Sequence, residues 1–280
     1  MGKYDLLLDF GDGEKKLSEL LPKVILLSFS PPAPIIERNM QSIPGRNGLV
    51  ITNQNKTLYK ERQIPVKLFI KSVIPEQFYL WRHEIYKLLV RDQPYYISTT
   101  FEPYKRWLVT CDGDFAIEKD GQYMHKEFEL NFTSLNGLAE SKYTTTSSEL
   151  NLSKERFGIG MNIPSEDHKY KYSGLWDPSQ FSIYNAGDIT VFPTEHDYTV
   201  EFTFVGKDVK IKNNTNGEYL IIKGSFNKEK VNIIRQYVMV DGKVPATQGR
   251  FPSLVPGVNR FEITGSRSTS VAFDFRFYYK

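Results

Sequence analysis

"YTVEFTFV" (residues 198–205) sets Tyr198, Val200, Phe202 and Phe204 on one side and Thr199, Glu201 and Thr203 on the other. Strict alternation of this kind puts apolar side chains on one face of a strand and polar ones on the other. The pattern recurs in "EFELNFT" (127–133), where Phe128, Leu130 and Phe132 face away from Glu127, Glu129 and Asn131. It recurs again in "VAFDFRFYY" (271–279), where Val271, Phe273, Phe275, Phe277 and Tyr279 oppose Asp274 and Arg276. Half-buried strands like these belong to antiparallel sheets with one face on a core. They occur in both halves of the chain, so the sequence predicts a mainly β protein of two antiparallel β-sandwich domains.

Size and composition agree with this. A chain of 280 residues suits two domains at roughly 150 residues each. The 19 Phe and 17 Tyr favour strands. A net charge of +3 is too small to imply nucleic acid or an anionic membrane as partner. The basic stretch "HKYKY" (168–172) reads as a solvated face or loop. Cys111 is the one cysteine, which excludes an intrachain disulfide and fits a reducing compartment or a particle assembled in one. At the end of "RWLVTC" it reads as a small core hydrophobe rather than a reactive thiol. "MGKYDLLLDF" (1–10) shows no secretion signal, and no apolar run approaches the ~18 residues of a spanning helix. Without such a signal, the sequons at Asn55, Asn131, Asn151 and Asn213 carry no meaning.

One helix is expected, over "PEQFYLWRHEIYKLLV" (75–90). Pro75 suits the first helical position, and Pro94 bars continuation. Phe78, Trp81, Ile85, Leu88 and Leu89 fall on one face, and Trp81 is expected to be buried there. "AESKYTTTSSELNLSKER" (139–156) is polar and Ser/Thr-rich and reads as a linker. The first domain then covers residues 1–138 and the second 157–280. Hairpin turns are expected at "CDGDF" (111–115), "KDGQY" (119–123), "NTNGEY" (214–219) and "VDGKV" (240–244), because Asn-Gly and Asp-Gly accept the positive φ of tight hairpins.

"IPGRNGLV" (43–50) offers two readings, a phosphate cradle or a tight turn. A cradle needs a helix after the glycines, whereas "LVITNQNKTLYKERQIPVKLFIK" (49–71) reads as two strands joined by the turn "NQNK". Gly45 and Gly48 are therefore expected to be turn residues, with positive φ at Gly48, and Arg46 is left to project as a contact residue. "DFG" at 9–11 has no glycine-rich or catalytic loop before it. Neither "DFGDGE" (9–14) nor "CDGDF" has the ligand spacing of a calcium loop. His83, His125, His168 and His196 form no metal-binding spacing. No catalytic constellation assembles, so no enzyme, cofactor or metal site is expected. A glycan-binding module is the alternative function. Trp176 in "GLWDPSQF" (174–181) could stack on a sugar ring, but a plug at one end of the sandwich is the favoured reading. Trp107, like Trp81, reads as core.

Three stretches resemble siphophage distal tail proteins, and they come in the family's order. "SIPGRNGLVITNQNKTLYKERQIPVKLFI" (42–70) is similar to the N-terminal domain, with its G-R-(N/D)-G turn and an aromatic and an arginine leading into a strand. "FSIYNAGDITVFP" (181–193) resembles the start of the C-terminal galectin-like sandwich, and "LVPGVNRFEITG" (254–265) its L-x-P-G-x-N strand entry. The resemblance implies a structural virion protein. It implies a hexameric ring formed by the N-terminal domain, which joins the tail tube to the tail tip or baseplate. The galectin-like domains would lie outside, and DNA and the tape-measure protein would pass through the bore. The implied partners are tail tube, tape-measure and baseplate proteins, with assembly in the host bacterial cytoplasm. In the first domain, the run from Gly48 to Lys71, with Leu58, Tyr59 and Ile64, is the expected contact edge.

Overall fold

The computed structural model describes residues 4–52, 57–72, 74–113, 115–119, 125–147, 160–162 and 168–280. The chain divides into one unit of residues 1–139 with Lys280 and another of residues 140–279. Both are built mainly of antiparallel strands.

In the first unit the strands β1 (Leu6–Asp9), β2 (Glu14–Lys16) and β3 (Val24–Phe29) are followed by four short ones, β4 (Ile36–Glu37), β5 (Met40–Ser42), β6 (Leu49–Ile51) and β7 (Leu58–Tyr59). Then come β8 (Arg62–Ile70), β9 (Tyr95–Thr99), β10 (Lys105–Thr110) and β11 (Lys126–Ser134). A single antiparallel path runs β2-β1-β9-β10-β11-β8-β3. The alternation read at 127–133 sets its register. Phe128, Leu130 and Phe132 pair with Leu68, Val66 and Ile64, and all six side chains are buried. Glu127, Glu129 and Asn131 are exposed.

The expected helix, α2 (Pro75–Leu89), has Pro75 in its first turn and ends before Pro94. A short turn, α1 (Leu17–Leu20), precedes it and buries Leu17; four residues are too few to show a helical period. Phe78, Ile85 and Leu89 are the buried residues of α2. Trp81, expected to be buried, is only half-buried. At about 100° per residue, Ile85 and Leu89 lie within about 20° of Phe78, whereas Trp81 is about 60° off that line. The buried stripe is thus narrower than the apolar face. The helix is tied to the sheet through Tyr86, whose ring packs on Phe115 with centroids 5.4 Å apart. Phe115 in turn stacks on Phe128 at 6.4 Å, and the Tyr86 hydroxyl accepts the Ile117 N–H at 3.1 Å.

The second unit contains β12 (Ala139–Ser141, its first residue belonging to the first unit), β13 (Lys171–Leu175), β14 (Ser179–Asn185) and β15 (Tyr198–Asn213). These are followed by β16 (Tyr219–Ile234), β17 (Tyr237–Val240), β18 (Thr247–Gly249), β19 (Gly257–Phe275) and β20 (Tyr278–Tyr279). The main path is β13-β19-β15-β16-β17, with β14 on β19 and β18 on β16. The two decisive stretches meet here: Tyr198, Val200 and Phe202 pair with Phe275, Phe273 and Val271, all buried. The register of β15 shifts around Gly206, where a Cβ would lie 2.0 Å from the Gly265 carbonyl oxygen. Only glycine fits that approach, and such bulges bend long strands.

The two C-terminal motifs act as backbone staples. The buried amide of Asn185 donates to the carbonyls of Ile189 and Leu254 and accepts the Gly187 N–H. Asn259, also buried, accepts the Val255 N–H and the Asn213 Nδ2–H, and donates to the carbonyls of Val255 and Gly257. Each Asn ties the backbone of the preceding or following loop to the strand that carries it.

The stretch expected to be a linker begins differently. Ala139, Glu140, Ser141 and Thr145 are buried. Ser141 N–H donates to the Phe277 carbonyl at 2.8 Å, and the Thr145 hydroxyl to that of Phe273 at 2.7 Å. The hydroxyls that made this stretch look like a linker satisfy strand backbone instead. Its remainder, 148–156, lies outside the described residues. At 214–219 the expected turn forms with Gly217 at φ 79°, and at 240–244 Asp241 and Gly242 both have positive φ. The turns at 111–115 and 119–123 fall partly or mostly outside the described residues.

We expect Phe78→Ala to destabilise the first unit by about 3–5 kcal/mol, and Trp81→Ala by under about 2 kcal/mol, because its cavity opens to water. Urea unfolding of the two variants checks this order.

Candidate assembly surface

Residues 35–52 and 57–60 form an arm of two short ladders on the first unit. Near its base β4 pairs with β7, Ile36 opposite Tyr59 and Glu37 opposite Leu58. Further out β5 pairs with β6, Met40 opposite Ile51 and Ser42 opposite Leu49. Two strands do flank "NQNK", as expected, and each pairs with an earlier strand, β6 with β5 and β7 with β4. Each returns along the outbound half of the arm, because the turn at 43–48 folds β6 back on β5. Residues 53–56, the "NQNK" turn itself, lie outside the described residues.

The tip answers the question posed by the glycines. Gly45 and Gly48 have φ of 79° and 82°, the Arg46 N–H donates to the Ile43 carbonyl at 3.1 Å, and a strand follows rather than a helix. Arg46 is exposed on this turn. At the base, the Lys60 N–H donates to the Ile35 carbonyl at 3.0 Å. Gly137 backs onto this point so closely that a Cβ would lie 2.0 Å from the Lys60 carbonyl oxygen.

Directly opposed residues of a ladder share a face, as do alternate residues of one strand. Met40, Leu49 and Ile51 therefore lie on one side of the arm. They are 53%, 63% and 39% exposed, and every residue from 37 to 49 is exposed. A two-stranded ladder is marginal in water on its own, and a strand edge is where a further strand can pair. Of the residues expected at the contact edge, Leu58 is exposed and Tyr59 half-exposed, but Ile64 is in the core. Ile64 alternates with Val66 and Leu68 towards the inside of the sheet. Leu49 and Ile51 fall within the run expected to form the contact edge, although they were not singled out, and Met40 lies outside it.

The remaining candidates are scattered. Trp107 is buried as expected. Trp176 is 76% exposed, so it plugs nothing. It follows the strand end at Leu175, and its ring faces solvent. Cys111 is buried, and burial beside Asp112 pushes its thiol pKa up to about 12, which suppresses the thiolate. His83 is exposed. The Nδ1 atoms of His125 and His196 accept the N–H groups of Ser72 and Phe192, and His168 stacks on Tyr184 at 4.3 Å. Among the described residues no three His, Cys, Asp or Glu side chains gather where they could hold a metal ion.

Comparison with known proteins matches both units. Residues 12–134 match the phage tail protein RIFT-related domain, and residues 190–277 match the siphovirus-type tail component, C-terminal domain. The protein is therefore a structural component of a phage tail. More narrowly, the chain belongs to the siphophage distal tail protein family. The Dit protein of phage SPP1, described as a paradigm of the hub adsorption apparatus in phages infecting Gram-positive hosts, shares the fold. It aligns over 99% of this chain and 100% of its own, with a TM-score of 0.66 and 14% identity. A chain of the phage p2 baseplate in its activated conformation with Sr aligns with a TM-score of 0.44 and 12% identity over 98% of each chain. No curated protein matches the sequence.

Gly48→Ala should cost only about 1 kcal/mol, since its Cβ would meet nothing within 4 Å and the penalty is the positive φ alone. Gly137→Ala should cost more than about 2 kcal/mol, because strain and a backbone clash add. Denaturation midpoints of the two variants measure the difference.

Proposed function

We propose that the chain closes into a hexameric ring through its first unit, joining the tail tube to the tail tip or baseplate around a channel for DNA. The observation that carries this reading is the exposed apolar face of the arm, Met40, Leu49 and Ile51. Head-to-tail contacts between identical chains close into rings when the rotation per subunit divides the circle. Membership of a distal tail protein family supports the placement at the virion tail tip. Tail tube, tape-measure and baseplate proteins are the expected neighbours, and assembly takes place in the host cytoplasm. In this reading the second unit hangs outside the ring.

Magnitudes show what the arm can supply. Full burial of a Leu, Ile or Met side chain gains about 1.5–3 kcal/mol, so covering three half-exposed ones gains roughly 3 kcal/mol per contact. Micromolar association needs about 8 kcal/mol. The arm's open edges must therefore add backbone pairing, or other surfaces must join.

The exposure of Trp176 favours one rival, a module that binds host cell-wall sugars. The polar groove on the second unit weighs against it. Tyr219, the aromatic in that groove, already has the Lys210 ammonium 5.0 Å from its ring centroid, and a sugar would have to displace it.

Light scattering on the full chain tests the ring. Wild type should form a closed oligomer at tens of micromolar, and Leu49→Asp, which leaves the core untouched, should reduce it to monomer while its circular dichroism spectrum stays that of the folded chain. A Leu49→Asp protein that assembles like wild type would sink the arm as the contact.

A further inference from the structure

Arg62 opens β8 and continues its inward alternation with Ile64, Val66, Leu68 and Ile70, so its side chain enters the first unit's interior. It is 2% exposed. The guanidinium lies over the Trp107 indole, 4.8 Å from the ring centroid. Its Nε and Nη2 are buried, and among the described residues no acceptor reaches either. Burial pushes its pKa below the usual value, yet an arginine stays charged in any protein. A buried cation left without a counter-charge costs several kcal/mol, and each such group calls for an explanation.

Arg62 lines a cavity of ≈ 360 Å³ whose wall also includes Pro31, Pro34, Glu102, Lys105 and Trp107. Lys105 is already paired with Glu102 at 3.6 Å. Lys280 also lines this wall but is exposed, so among the described residues Arg62 is the buried cation of the cavity whose Nε and Nη2 have no partner. We propose that this cavity is a binding site for a carboxylate group, gripped by Arg62.

Two features select a carboxylate over other anions. First, Nε and Nη2 form one edge of the guanidinium, and that edge takes a planar carboxylate through two parallel N–H···O bonds. A carboxylate drawing the guanidinium towards the cavity breaks no existing hydrogen bond at these atoms. Second, Glu102 on the same wall disfavours a doubly charged ligand. The prolines and the indole suit the short apolar stem of an acidic side chain. The same chemistry serves a small free carboxylate or an Asp or Glu offered by another protein chain.

The test uses the full-length protein and does not depend on ring formation. Thermal unfolding and Trp107 fluorescence, in a background of Trp81→Phe and Trp176→Phe, are followed against sodium acetate and against the peptide acetyl-Gly-Asp-Gly-amide. Sodium chloride at matched ionic strength and the Asn peptide serve as references. A saturable rise in melting temperature of about 2–4 °C at ten times Kd is expected. Binding by both probes identifies a site for free carboxylates, and binding by the Asp peptide alone identifies a protein side chain as the source. Arg62→Met should abolish the response and melt no lower than unliganded wild type. Arg62→Lys, which keeps the charge but loses the fork, should bind at least about tenfold more weakly. The proposal fails if neither probe does more than its reference, or if Arg62→Met responds as wild type does. If Arg62→Met does not fold, the wild-type and Arg62→Lys titrations decide it.

Discussion

Met40 and Ile51 face each other across a two-stranded ladder, and Leu49 follows on the same side, all three open to water. A protein bears such a face at a cost in solubility and keeps it when something covers it. The rest of the first unit holds this arm in place. Gly45 and Gly48 turn its tip, Gly137 lets Lys60 seat its base, and the buried pairing of β8 with β11 anchors the strand into which it returns. The antiparallel sheet of the first unit is therefore a mount for an element that cannot satisfy itself.

The second unit solves a different problem. Its strands run to 16 and 19 residues, and they bend at glycine bulges and are tied at their ends by buried asparagines. Asn185, Asn213 and Asn259 take their hydrogen bonds from loop backbone and from each other.

The strands could be read from the sequence because period-two alternation in Phe, Tyr and Val over seven or more residues leaves one arrangement open. The helix was readable from Pro75, Pro94 and its apolar spacing. Errors came where a residue type misstates its surroundings. Trp81 lies on the apolar face but off the buried stripe. Trp176 is large and apolar yet exposed at a strand end. Ser141 and Thr145 are polar yet buried, since each hydroxyl finds a backbone partner. Met40 was not joined to the expected run because it comes opposite Ile51 only once the turn between them closes. Arg62 was overlooked although the alternation of "RQIPVKLFI" already placed it on the inward face. The carbonyls and side chains around its guanidinium depend on register, which one sequence does not give.

Hydrogen–deuterium exchange on residues 37–51 tests the central claim most directly. The amides of the arm's open edges should exchange rapidly in a monomeric Leu49→Asp protein and become protected in the assembled wild type, while the β8–β11 core stays protected in both. Exchange across 37–51 that is equally fast in monomer and assembly would contradict the account, since the arm would then remain in water when the ring is closed.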